Sequence, residues 1–176
     1  MAKLYGLGNY ILSELSTKLI CDNDFNKFVY YKNEKENDIL SMPNLDNPFV
    51  QLKSQFFKNR RPVKTLVEED VCVFIYLDDI RNQNAKSKKI KTIWLRVSFL
   101  VHSNLSETQN GVREVALISA IEKIVERSEF QKTLGEVEVE RIKALQGLPY
   151  EWNGYEVLVK CDGLTEHCVE YEIKED

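Results

Sequence analysis

A chain of 176 residues is long enough to close one hydrophobic core, and one domain is the expectation. Charged residues make up 30% and hydrophobic ones 43%, the balance of a folded soluble protein rather than a disordered or membrane-embedded one. A formal net charge of −4 gives no general attraction to nucleic acid. No apolar run approaches the roughly 20 residues of a membrane span, and no signal-peptide pattern opens the chain, so a soluble protein made in the cytoplasm is expected.

Leu4, Leu7, Ile11, Leu15 and Leu19 recur at helical spacing and predict an amphipathic helix from about Tyr5 to Ile20. Asp22, Asn23 and Asp24 read as its end, and Phe28 to Tyr31 as a short strand. Residues 32–47 are polar, with Pro43 inside and Pro48 after them, and predict an extended surface loop. Phe49 to Phe57 gives no clean alternation and is only a candidate strand. Lys58, Arg60, Arg61 and Lys64 then form the densest basic patch. It is a candidate contact for an acidic partner or DNA, although no aromatic residues interleave as a stacking platform requires.

The stretch from Asp70 to Ser103 organises the rest. Val71 to Leu77 is apolar or aromatic on both faces, which predicts a strand covered on both sides. Ile93, Leu95, Val97, Phe99 and Val101 share one face of a second strand, with a wetter face carrying Trp94, Arg96, Ser98, Leu100 and His102. The join from Asp78 to Lys89 reads as a long, charged connection, too long for a two-residue turn. A long protruding β-hairpin results, and Arg81, Lys86, Lys88, Lys89 and Lys91 at its tip are the candidate subunit or partner contacts.

Ser106 followed by Gln109 resembles a helix start, and Leu117, Ile118, Ile121, Ile124 and Val125 define the buried face of a helix over about 107–127. Glu114, Glu122, Lys123 and Glu126 would then be its wet face. Glu136 to Arg141 alternates but also suits a helix. Asn153-Gly154 reads as a tight turn leading into a strand over 155–160, and residues 167–173 as a final strand.

No P-loop, dinucleotide fingerprint or nucleophile elbow is present, so no catalytic residue is assigned. Cys161, His167 and Cys168, with His102 more distant, are a conceivable metal or Cys/His set. Yet no C-x-x-C pair occurs, and reduced structural cysteines, no metal and no cofactor are expected. Asp78-Asp79 at a strand end invites a divalent cation, but no distal acidic cluster matches it. The expected fold is α+β: a single domain with a mostly antiparallel sheet and two helices on one face. Val73, Ile75, Leu95, Val97, Leu117 and Ile121 should be buried together.

The order of these elements resembles the tail-terminator (tail-completion) and head–tail neck proteins of tailed bacteriophages. The likeness is carried by the leading helix ending at Ile20, the short strand Phe28–Tyr31, the hairpin between Val71 and Val101, the helix through Leu117–Val125 and the strand Tyr155–Lys160. The extended loop near 32–47 and a strand extension after 162 depart from short members of that group. The resemblance implies a non-enzymatic virion protein forming a ring with itself, usually a hexamer. Adjacent neck or tail-tube proteins would be its partners, with DNA passing through without sequence recognition and no membrane contact. The competing readings are a small intracellular nucleic-acid-binding adaptor using the two basic stretches, and an enzyme with a cryptic Cys/His site.

Overall fold

Apolar side chains every three to four residues build helix α1 (Ala2–Cys21), whose Leu7, Ile11, Leu15 and Leu19 are buried. The computed structural model describes residues 2–32, 38–58, 69–84, 87–127 and 136–165. Immediately after α1 comes α2 (Asn23–Tyr30), a helix where the sequence suggested a strand. Asp22, read as a stop, is the N-cap of this new helix: its carboxylate accepts the Phe25 backbone N–H at 3.0 Å. Phe25, Phe28 and Val29 then fall on one buried face. The loop after it is punctuated by a short 3-10 turn at Ile39–Ser41, whose Ile39 is fully buried. The ambiguous stretch beyond resolves into α3 (Pro48–Gln51) and a two-residue strand β1 (Phe56–Phe57).

Among the described residues the main sheet has five strands, in the order β1-β2-β3-β7-β6. Strands β2 (Val71–Asn84) and β3 (Ser87–His102) pair antiparallel from Val71↔Val101 to Asn84↔Ser87. Most of the charged connection expected between them is therefore strand. After α4 (Ser103–Ser106), a small ribbon of β4 (Glu107–Thr108) and β5 (Gly111–Val112) delays the next helix. Gly111, with φ of 104°, makes that ribbon possible, and α5 (Arg113–Val125) starts six residues later than the sequence suggested. β6 (Glu136–Ala144) is the edge strand, and β7 (Trp152–Thr165) lies between it and β3. The Asn153-Gly154 turn does not form. Both residues lie inside β7, and the turn glycine is Gly147, at φ 73°. Residues 167–173, read as a last strand, lie outside the described residues.

Helices α1, α2 and α5 pack on one face of this sheet, so the fold is α+β, one domain, mostly antiparallel. Among the described strands only β1 runs parallel, against β2. Val73, Ile75, Leu95, Val97, Leu117 and Ile121 meet in the single large core, each fully buried. The second face carries a smaller apolar cluster of Cys72, Phe74, Leu100 and Trp152, which covers one end of it.

Candidate assembly interface

Beyond the core the strands continue as an arm. β2 bulges between Leu77 and Asp79; Ile80↔Ile93 still lies at the core, and the pairing then runs on as Arg81↔Thr92, Asn82↔Lys91 and Asn84↔Ser87. β7 runs beside β3 as far as Ile90↔Thr165, so the arm is three strands wide and stiffer than the two-stranded hairpin expected from sequence. Gly8 of α1 lies against Leu77 and Ile80, where an added Cβ would sit 3.5 Å from the Leu77 side chain.

The candidate contact residues are distributed unevenly on this arm. Arg81 is exposed, paired with Asp79 at 2.6 Å, and its guanidinium lies 5.0 Å from the Trp94 ring centre. Lys91 is buried within the arm rather than exposed at its tip, and its ammonium donates to the Asn82 side chain. Lys88 and Lys89 are part of β3, with side chains outside the described set. Lys58 is exposed just past β1. Lys86, Arg60, Arg61 and Lys64 lie outside the described residues.

The open face of the sheet is covered by its own ion pairs. Arg96 reaches Asp78 at 2.7 Å and Glu156 at 2.6 Å. Partial burial pulls its pKa down, but hydrogen bonds and charge from the two carboxylates outweigh this and raise it. Lys160 is likewise raised, by hydrogen bonds to Asp162 at 2.6 Å and Glu138 at 2.9 Å. The Trp94 indole donates to Glu140. Asp78 and Asp79 therefore serve Arg96 and Arg81 separately rather than converging on a cation site. Arg96 and Lys160 are thus ion-paired within the protein, although the buried Arg96 Nε has no hydrogen-bond partner among the described residues, and their charge is largely offset before a phosphate could meet it.

The Cys/His set is not assembled. Cys161 is buried on the helix face, where burial first, and then Asp162, pushes its thiol pKa up to about 12, so it is a protonated, inert thiol. His102 sits at the other end of the sheet, edge-on to Trp152 at 5.4 Å, with its Nδ1 accepting the Asn104 backbone N–H. Its strand partner Trp152 is nine residues from Cys161 along β7, about 30 Å at strand rise. His167 and Cys168 lie outside the described residues. Among the described residues no three His, Cys, Asp or Glu side chains group as a metal site, and no helix is long and apolar enough to cross a membrane.

One feature had no clear sequence signal. At the end of the sheet opposite the arm, a cleft of about 340 Å³ lies between the start of α5 and the β6–β7 connection. Val112, Leu145 and Leu148 give it apolar walls, and Ser106 and Glu114 line it as well. Glu114, assigned by periodicity to the wet face of its helix, is only 3% exposed. The Ser106 hydroxyl lies 2.8 and 2.7 Å from its two carboxylate oxygens. Ser106 is thus a partner for Glu114 eight residues on, not the cap of a capping box. The neighbouring Arg113 points the other way, donating to the carbonyls of Leu105, Phe28 and Tyr31.

A search of curated proteins finds no significant match to the chain. Residues 22–161, which include α2, the whole described sheet up to Cys161 and helix α5, match the family model described as YomW, and the chain therefore belongs to the YomW family, a phage-associated family.

Proposed function

We propose that the chain is a structural protein of the tailed-phage virion, a neck subunit that forms a ring, terminates the tail and joins it to the head. The observation that carries this reading is the arm: three strands continue past the helix-covered core and bring lysine-rich sequence to their end. Such an extension adds little to the subunit's own core and suits contact with a neighbour. The edges support it too. β6 is an edge strand nine residues long, and β1 covers only two residues of β2, so paired edges would be completed by adjacent copies. Phage association of the family fits the setting. The partners on this reading are copies of the chain, in a ring of about six, and the adjacent neck or tail-tube proteins.

The test replaces residues 83–90 with Asn-Gly. This joins the paired residues Asn82 and Lys91 through a two-residue turn and leaves the register intact. The variant should unfold cooperatively like the parent, yet fail to enter completed particles. Infectious particles with normal necks containing the variant would show that the arm is an ordinary projection, and the proposal would fall.

A further inference from the structure

We infer that the Glu114 cleft receives a lysine from the arm tip of a second copy of the chain; this rests on the ring reading and supplies its subunit contact. The cleft has room for one or two side chains, not for a folded element. Its lining includes one buried carboxylate and neither lysine nor arginine. Ser106 offers Glu114 a single hydroxyl proton, whereas a carboxylate accepts about four hydrogen bonds. The walls of Val112, Leu145 and Leu148 suit the four-carbon stem of lysine, with the ammonium reaching Glu114 at the end. Around the mouth, Val112 is half exposed and Tyr150, in the turn that carries Leu148, is fully exposed, so apolar surface remains for a neighbour to cover. A phosphate or acidic peptide is disfavoured by the same carboxylate.

The second copy is argued from the topology. The cleft borders the first residues of β7 and the last of β6, while the arm tip lies at the far end of the same sheet. Lys86, Lys88 and Lys89 stand in sequence at that tip. A tip-to-cleft contact therefore joins opposite ends of two molecules, a heterologous contact that repeats from copy to copy and closes into a ring when the rotation allows.

A photo-crosslinking residue placed at Val112, at the cleft wall, tests this in mixed isotope-labelled copies, both in purified particles and in concentrated full-length protein. Mass spectrometry should find adducts joining position 112 of one copy to residues 83–90 of another. Glu114→Gln keeps the shape of the side chain and a partner for Ser106, and should lower the adduct yield about tenfold through loss of the charge pair. The triple variant Lys86→Glu, Lys88→Glu, Lys89→Glu should do the same without touching the cleft. Adducts to another neck protein, or to a different segment of the second copy, would overturn this contact while leaving the ring reading standing. Unchanged yields in both variants would also overturn it. Absence of the protein from particles, together with a monomer at every concentration, would remove the ring reading as well.

Discussion

Gly154 lies inside β7 at a point where β3 leaves no room for a side chain. A Cβ built there would stand 2.6 Å from a Leu100 methyl and 2.8 Å from the Phe99 carbonyl oxygen. The methyl can rotate away, but the carbonyl belongs to a paired strand and cannot. Gly154→Ala should therefore destabilise the protein by about 1–3 kcal/mol, the usual cost of overpacking. Thermal or urea unfolding measures it, and a variant as stable as the parent would show that β3 and β7 separate more easily than their register implies. From sequence the same glycine, after Asn153, reads as a turn, because a dipeptide signal carries no record of which strand lies alongside. Glu114 is hidden for a related reason. Helical periodicity places it on the wet face, whereas in the fold it is buried at the cleft that Ser106 and the β6–β7 connection also line.

Among the elements, those with long regular periodicity were legible and those decided by short-range competition were not. Helix α1, the core half of β2 and β3, and the Leu117–Val125 face of α5 follow directly from spacing. Phe28 to Tyr31 has strong strand propensity, but the Asp22 cap and burial of Phe25, Phe28 and Val29 against α5 and the sheet override it. The charged residues from Asp78 onward look like loop until β7 is laid against β3, since the third strand supplies the pairing that keeps an arm of polar composition extended. The helix-face core is where the reading from spacing makes its firmest energetic statement. Leu95 and Ile121 are both fully buried there, on β3 and α5. Leu95→Ala or Ile121→Ala should each cost roughly 2–5 kcal/mol, by lost transfer energy and the cavity left behind. Unfolding midpoints equal to the parent for both would mean that the sheet and α5 do not share a core.

Across the whole molecule the two faces of the sheet are finished differently, and this bears on whether the basic residues serve protein or DNA. The helix face is dry, while much of the open face is covered by pairs such as Arg96 with Asp78 and Glu156, and Lys160 with Asp162 and Glu138. A cation already bonded to two carboxylates presents a nearly neutral surface to an approaching phosphate, and the net charge of −4 adds a weak repulsion. The Arg96 pairs are mostly buried and the Lys160–Glu138 pair is half exposed; both neutralise the face, and breaking an Arg96 pair would strand a largely buried charge. The protein should therefore not retard duplex DNA in a gel at about 0.15 M salt, where screening leaves only close contacts effective. Arg96→Ala and Lys160→Ala should not change that result. Retention that weakens steeply between about 50 and 200 mM salt would point to several phosphate contacts, each releasing counterions. Because Arg96 and Lys160 are internally paired, such binding would have to come from the basic sequence at the arm tip and at residues 58–64, or from the exposed Arg141 and Lys143 of β6. Where it comes from the tip, the tip lysines would be assigned to DNA in a channel rather than to the carboxylate of a neighbouring subunit.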